Sequence, residues 1–423
     1  MNLFFLIKKI NFLLKIINYI LGFIIAVFLF LFIKLVYPFI LIRFYNIVST
    51  RLGHMLEDID IYLSRKKNEL NNSDLEEQRN SIDIFYFRTK ICNKYVAKLL
   101  KKKLLIFPHY IMYWIDKFDA CTIKYLGFKN IHIIGDAIEN DKNHPPLLNR
   151  DIHGTYNSDQ NFHFDKKEIS LGNENLKKLG INSKYVCIYT RDDKYLREKY
   201  PYNDWSKHDY RNLDIDILID TAKLLIEKDF YVVRVGQNAE KKMNFKNNKF
   251  IDYSFSNFQS DFMDVFLLGN CDFFISSSSG IDSIATAFRK DIVFPFLFPV
   301  MDTKSSTSRH FLSYRNLYSN KLKRNLTFSE ILEKNFGYLN DQDILKKNDL
   351  KIVSPTSIEV SKIIEEYLNT NKNYDYNNIN AHKFYKIFKS ANFSYNGTIY
   401  HNIDHINFKV SQHFLNKNDG WLK

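Results

Sequence analysis

The spacing of hydrophobic and polar positions changes several times along the chain, and each change marks an element. Over residues 3–18 the polar positions Lys8, Asn11, Lys15 and Asn18 recur every three or four residues among Leu, Ile and Phe, which predicts an amphipathic helix with a narrow basic stripe. Residues 19–33 then carry no polar side chain except the Tyr19 hydroxyl. As a helix that run spans about 22 Å against a hydrocarbon core of about 30 Å, short of a comfortable span unless extended at one end. A crossing helix and a membrane-dipping one both stay open. No small-x-small site follows the run, which argues against a cleaved signal.

Beyond Pro38 the pattern alternates between short apolar runs and helical periods. Strands are predicted at 39–45, 82–87, 104–108 and 131–134, with helices at 54–67, 93–103 and 109–126 between them. Residues 135–172, with Pro145-Pro146, Gly154 and many Asn and Asp, read as a long loop or interdomain crossing. A second alternation follows: strands at 185–190, 230–235, 250–253, 273–275 and 292–298, and helices at 214–228, 261–268 and 281–288. A helix at 357–368, a linker at 369–380 and a terminal helix within 408–422 complete the chain. Alternating strand and helix implies parallel sheets covered on both faces. The expected fold class is α/β, with two Rossmann-like domains preceded by a membrane-associated helical segment. The boundaries are 1–36 for the membrane-associated helix, 37–175 and 176–370 for the two domains, and 371–423 for linker and tail helix.

Composition changes this picture in three places. The 423 residues carry a formal charge of +13, and Lys8, Lys9, Lys15, Lys34, Arg43 and Arg51 all precede the first acidic residue, Glu57. That asymmetry points to anionic lipid, and no zinc-finger spacing, RNP-like strand or long basic helix supports nucleic acid as the partner. Cys92, Cys121, Cys187 and Cys271 are far apart, three of them in apolar surroundings, and read as reduced core residues of a cytosolic domain. There is no CxxC or HExxH, and His401 and His405 flank Asp404 on a polar tail that reads as solvated surface, so no metal is expected.

The glycines include no G-x-G and no pair five apart, which removes the dinucleotide fingerprint and the P-loop. Two Asp-x-Asp runs, Asp58-Ile-Asp60 and Asp214-Ile-Asp216, fall in predicted helices instead of strand-ending loops, and the second reads as capping. The strand ends of the second half carry the stronger chemistry. One strand runs into Arg191-Asp192, the next carries Arg234 and ends in Gly236, and a third ends in Ser277-Ser278-Ser279-Gly280 before a helix. Guanidinium forks and a polar turn at a helix start suit a diphosphate. The competing reading pairs Arg191 and Arg234 with Asp192, Asp252 or Asp261 as structural ion pairs.

The chain resembles bacterial glycosyltransferases of GT-B type associated with surface-carbohydrate loci. The resemblance rests on Arg51-Leu-Gly-His54, Arg191-Asp-Asp-Lys-Tyr195, Tyr210-Arg-Asn212, Val233-Arg-Val-Gly236, Ile251-Asp-Tyr253, Ser260-Asp-Phe-Met-Asp264, Phe274-Ile-Ser-Ser-Ser-Ser-Gly280 and Phe414-Leu-Asn-Lys-Asn418. It covers most of residues 40–420. Where that family shows His before its first Arg-Asp, this chain has Tyr189-Thr190. The resemblance implies two domains facing across a cleft, with the nucleotide-sugar donor on the C-terminal half and the acceptor on the N-terminal half. It also implies that side chains and a helix start, instead of a metal, stabilise the leaving diphosphate. Arg191, Arg234, Gly236 and Ser277 to Gly280 are then the donor-diphosphate candidates.

An attacking hydroxyl must lose its proton, so an inverting reaction needs a base. His54 is the candidate, since imidazole ordinarily titrates near neutrality, with Asp192 the alternative. Tyr210, Arg211, Asn212, Asp252, Asp261 and Asp264 are cleft or sugar candidates. The expected activity is metal-independent transfer of a sugar from a nucleotide-sugar co-substrate, with no further cofactor. The acceptor is a cell-surface glycan or its lipid-linked precursor, and the enzyme is held on membrane lipid with its catalytic domains in the cytoplasm. A nucleotide-sugar 2-epimerase of the same architecture and a non-catalytic membrane-bound assembly protein are the alternatives.

Overall fold

The computed structural model describes residues 3–71, 80–129, 131–134, 151, 154–370, 373–396 and 398–423. Residues 135–150 and 152–153 of the long loop expected at 135–172, Pro145-Pro146 among them, lie outside the described residues, as do the side chains of Lys8, Asn11 and Lys15. The chain forms two compact units, Met1–Ile59 with Lys67–Leu148, and Asp60–Lys66 with Asn149–Lys423.

In the first unit, the predicted amphipathic and apolar segments are one helix, α1 (Leu3–Val36). It is followed by β1 (Leu41–Ile47), α2 (Leu52–Asn71), β2 (Ser81–Phe87), α3 (Lys94–Lys101), β3 (Leu105–Ile106) and α4 (His109–Leu126). Strands pair in the order β1-β2-β3, all parallel, with Leu41 opposite Ser81 and Ile47 opposite Phe87. The strand expected at 131–134 is reduced to a bridge between Ile133 and Phe44. The Ile42 carbonyl, the next acceptor along β1, takes the His132 Nδ1–H at 2.6 Å instead, and pairing stops.

A narrow stripe of the apolar run in α1 belongs to the core of this unit. Ala26 and Ile33 are buried with Ile42, Phe44, Tyr86, Met112 and Ile115. Gly22 lets α1 approach α4 closely, since a Cβ there would collide with the Tyr110 carbonyl. Phe23 meets Trp114 edge-on at 5.2 Å, Trp114 Nε1 donates to the Tyr19 carbonyl at 3.1 Å, and Lys34 Nζ donates to Asp119 at 2.9 Å. The other face, including Ile20, Ile24, Phe28, Leu31 and Leu35, is exposed, Phe28 by 70% and Leu35 by 74%. A helix carrying apolar residues all round is thus split between a protein-facing stripe and an outward one.

The second unit opens with a helix inside the stretch expected to be loop, α5 (Lys166–Lys178). Asp165 and Glu168 close a reciprocal capping box at its start. Gly172, which reads as a breaker, sits against Phe266, where a Cβ would collide with the ring. Next come β4 (Tyr185–Tyr189), α6 (Lys194–Lys199), α7 (Ile219–Glu227), β5 (Tyr231–Arg234), β6 (Phe250–Asp252), α8 (Asp261–Asn270), β7 (Phe273–Ser276), α9 (Asp282–Ala287) and β8 (Asp291–Leu297).

Sequence reading assigns nothing between 299 and 356. There the chain has β9 (His310–Tyr314), β10 (Asn316–Ser319), β11 (Arg324–Asn325), α10 (Phe328–Glu333), α11 (Gln342–Lys347) and β12 (Leu350–Val353). The order closes with α12 (Ser357–Thr370), α13 (Ile379–Lys389), β13 (Ser394–Tyr395), β14 (Thr398–Ile399), β15 (Lys409–Val410) and α14 (Gln412–Lys417). The stretch read as a linker therefore runs straight into α13.

Seven strands form one parallel sheet in the order β15-β9-β8-β7-β4-β5-β6. From β4 the chain steps outward through β5 and β6, then returns to the other side of β4 and steps through β7, β8 and β9. Setting aside β15, this is the doubly wound order whose ligand crevice lies at the carboxyl ends of the two strands flanking the reversal, here β4 and β7. Val186, Ile188, Val232, Ile275, Val293 and Phe311 are buried against α7 and α12 through Ala222, Leu225, Val360, Ile363 and Ile364. Fully burying such side chains contributes about 1.5–3 kcal/mol each, which makes this sheet a firm platform for its carboxyl edge. Cys187 and Cys271 are buried, Cys92 is half-buried and Cys121 is exposed. His401, expected on a solvated surface, is buried with its Nδ1 2.9 Å from Ser305 Oγ.

Candidate functional site

The carboxyl ends of β4 and β7 are joined directly, the Arg191 backbone N–H donating to Ser277 Oγ at 2.8 Å. Arg191 is buried, and its Nη1 donates to the His208 carbonyl at 3.1 Å and to Asn212 Oδ1. Arg211 Nη2 donates to the Ser278 carbonyl at 2.7 Å. Among the described residues no carboxylate forms an ion pair with either guanidinium. Burial, and then the positive charge of Arg211, lower the Arg191 pKa from its ordinary value. Two cations that disfavour each other beside a polar turn make a place where an anion is welcome.

Sequence reading missed a third guanidinium. Arg315 follows β9 at the same edge of the sheet and is buried, and its Nη1 donates to the Tyr210 carbonyl at 2.6 Å. Its Nε has no hydrogen-bond partner, and burial pulls its pKa down to about 10, so it is still charged at neutral pH. The available signal was the arginine closing His310-Phe-Leu-Ser-Tyr314-Arg315, a strand whose residues are all buried and so show no alternation. Arg191 and Arg315 thus brace the turn carrying Tyr210, Arg211 and Asn212 from two strands. Burial raises the Tyr210 hydroxyl to about 12.

The serine turn differs from an open anion cradle. α9 is six residues long, and the Asp282 carboxylate already accepts from Ser276 Oγ at 2.5 Å and from the Ser279 N–H at 2.7 Å. The Ser278 N–H donates to Ser276 Oγ at 3.2 Å, and Ser283 Oγ to the Gly280 carbonyl at 2.8 Å. Ser278 holds φ at 65°, which turns the chain here. An internal carboxylate therefore occupies part of the place assigned to phosphate, and the turn serves mainly to position Ser277 and the Ser278 carbonyl against the two arginines.

Arg234 is committed elsewhere. Its Nη1 donates to the Lys241 carbonyl at 2.5 Å and lies 3.3 Å from Asp252 Oδ2, the ion pair weighed from sequence. Asp252 Oδ2 also accepts from the Met243 N–H at 3.2 Å, so the pair shapes the loop after β5. Asp192 acts on the same loop, its carboxylate accepting from the N–H groups of Lys194 and Glu240. Gly236, at φ +117°, lies against the Tyr189 ring, which a Cβ would meet at 2.9 Å. Of the acidic candidates on α8, Asp261 sits in the first turn, while Asp264 is buried. Asp264 accepts from Tyr253 Oη at 2.9 Å and Gln237 Nε2 at 2.5 Å. Burial raises its carboxyl to about 6.

Neither Asp-x-Asp run is arranged like a metal clasp. Lys241 Nζ bridges Asp214 and Asp216 at 2.8 and 2.7 Å. Asp60 pairs with Arg289 at 2.6 Å, both buried, and Asn161 Nδ2 donates to it at 2.8 Å. Asp58 is fully buried, accepts from Tyr45 Oη at 2.9 Å and lies 3.6 Å from Nδ1 of the half-buried His54. Among the described residues no three His, Cys, Asp or Glu side chains are grouped to hold a metal ion. A carboxylate behind Nδ1 favours the tautomer that leaves Nε2 as the proton acceptor, the arrangement a general base needs.

No family model and no curated protein matches the chain. Similar solved structures include a glycosyl transferase family 9 protein from Veillonella parvula, at 8% identity over 78% of this chain and 97% of that one, with a TM-score of 0.47. An ADP-heptose LPS heptosyltransferase II from E. coli is similar at 11% identity over 60% and 86%, with a TM-score of 0.33. An E. coli heptosyltransferase solved with ADP is similar at 12% identity over 78% and 98%, with a TM-score of 0.31. These likenesses are distant, and the functional argument stands on the chain's own geometry.

Proposed function

We propose that the chain is a glycosyltransferase that takes a sugar from a nucleoside-diphosphate sugar and delivers it to a glycan or lipid-linked glycan precursor at a membrane. One observation carries the reading: Arg191 and Arg211, which among the described residues form no ion pair with a carboxylate, stand beside the Ser277–Ser278 turn at the reversal point of a doubly wound sheet. In the reaction the bond between the sugar's anomeric carbon and the diphosphate oxygen breaks, and a bond to the acceptor oxygen forms. The departing diphosphate gains charge, which preorganised guanidinium groups stabilise more strongly than they do the bound donor. The acceptor's proton passes to a base, which we assign to His54, with the Asp58 carboxylate 3.6 Å from its Nδ1. We assign charge neutralisation to arginine instead of a metal, because the Asp-x-Asp carboxylates are engaged with Lys241, Arg289, Tyr45 and His54.

The test is a thermal-shift titration of the full-length protein in neutral detergent with UDP, GDP, ADP and CMP and their sugars. One nucleotide class should raise the melting temperature, since a ligand that binds only the folded state stabilises it. Arg211→Ala should weaken that nucleotide's binding about tenfold or more, as expected for one lost charge-assisted contact. No shift with any nucleotide would overturn the reading.

A further inference from the structure

A cavity of about 500 Å³ opens in the first unit where α1, α3 and the carboxyl ends of β2 and β3 converge on the start of α4. Its lining includes Asn18, Tyr19, Arg88, Lys101, His109 and Tyr110, and no acidic residue. Arg88 is half-buried, its Nε donates to Asn46 Oδ1 at 3.3 Å, and among the described residues it has no carboxylate partner. His109 Nδ1 lies 2.9 Å from the Phe87 carbonyl, which can only accept, so the ring is fixed with its proton there. Pro108 provides no side-chain cap for α4, so the first N–H groups of an 18-residue helix stand at the same wall. Two cations, a positive helix end and tyrosine hydroxyls describe a site for phosphate.

The neighbourhood says how that phosphate is presented. The cavity touches α1 at Asn18 and Tyr19. The outward face of the helix is an exposed apolar stripe on both sides of that contact, Ile16 and Ile17 before it and Ile20, Ile24, Phe28 and Leu31 after it. The inward face is fastened to α4 by Tyr19, Gly22, Phe23 and Lys34. A helix held lengthwise on its own domain with one apolar face free is suited to lying in a bilayer surface. A headgroup cavity beside that stripe lies where an amphiphile could keep its chain in lipid and its phosphate in protein.

We propose that this cavity binds the phosphate of a phosphorylated amphiphile, with the hydrocarbon chain running along the outward face of α1. This rests on the glycosyltransferase reading and specifies its acceptor as phosphate-linked to an apolar chain.

The experiment is calorimetric titration of the full-length protein in a neutral maltoside detergent with dodecyl phosphate, methyl phosphate and dodecanol. Dodecyl phosphate should bind at least about tenfold more tightly than either alternative, because only it carries both recognised parts. Combining Arg88→Gln with Lys101→Gln should weaken it at least about tenfold, since two charge-assisted contacts are lost. Thr89→Glu, an exposed lining position, should weaken it by repulsion without touching the core, and Lys124→Gln, at the far end of α4, should have no effect. Methyl phosphate binding as well as dodecyl phosphate would make this a free-phosphate site and overturn the proposal. Equal binding of dodecanol, or unchanged binding in both variants, would also overturn it. Nucleotide binding through Arg211, titrated on the same samples, separates the two failures: if nucleotide binds and the alkyl phosphate does not, only this proposal falls.

Discussion

Arg234 Nη1 lies 3.3 Å from Asp252 Oδ2 with the arginine side chain 4% exposed, so this guanidinium is held inside the protein. Removing it leaves a half-buried carboxylate, whose pKa burial already raises, with the more distant Lys242 as its remaining cation. Arg234→Ala should lower unfolding free energy by about 3 kcal/mol, the usual cost of orphaning a buried charge, with nucleotide affinity unchanged within about twofold. Urea denaturation and nucleotide titration on the same preparation check both halves. A double-mutant cycle with Asp252→Asn should show that most of the loss comes from the pair.

Asp264 gives a pH signature. Burial holds its carboxyl at about 6 in the folded chain, whereas an unfolded aspartate titrates at about 4. The folded state therefore keeps a proton that the unfolded state releases. The stabilisation from this group is complete below about pH 4 and is lost as pH rises through about 6, after which it is level. Asp264→Asn cannot ionise, so between pH 4 and pH 7 its stability should gain on the parent by about 2–3 kcal/mol, at about 1.4 kcal/mol per pKa unit. Urea midpoints of both proteins across that range measure the slope.

Asp58 stands behind His54, 3.6 Å from Nδ1, and is itself held by Tyr45. If His54 is the base, His54→Ala should reduce turnover about 10²–10³-fold while nucleotide binding stays within about twofold. Asp58→Asn keeps the shape but removes the charge that orients the ring. It should lower kcat more than KM, which a purely structural role would not do. Steady-state kinetics with the donor found by thermal shift decides this.

Gly22 sets the distance between α1 and α4. A leucine there would run into the Tyr110 backbone and push the helices apart, so Gly22→Leu should expose the Phe23 and Trp114 rings. Trp114 emission should move to the red, and backbone amides of α1 should exchange hydrogen faster. The cost should be about 1–3 kcal/mol, as for overpacking elsewhere.

Much of the parallel sheet could be read directly. The apolar runs behind β4, β5 and β7 are short, β-branched and bounded by polar turns, and their carboxyl ends place Arg191 and Ser277 together as the structure does. α5 escaped because its capping signal, Asp165 with Glu168, sits among Asn and Asp residues that read as loop, and because Gly172 answers to Phe266, far away in sequence. β9 escaped because both of its faces are buried and leave no alternation. The side-chain partners were least legible. Nothing local distinguishes Arg234, which finds Asp252, from Arg191, which among the described residues forms no ion pair, since the difference arises only when β5 pairs with β6. Asp282 is similar: its position three residues past Ser279 reads as a helix residue, and only the folded turn shows its carboxylate filling the anion's place.

β15, only Lys409 and Val410, lies beside Phe311 and Leu312 at the outer edge of the seven-stranded sheet. Order of synthesis gives this pairing a meaning for folding. Until residues 409–410 have been made and have returned across about a hundred positions of intervening chain, β9 presents an unsatisfied row of backbone donors and acceptors, a template for pairing with another molecule. Closure of that edge is a long-range contact and among the slower ones to form. A chain stalled or clipped before residue 409 would therefore carry most of the sheet and still be prone to self-association through β9, so the two residues of β15 act as a seal on that edge.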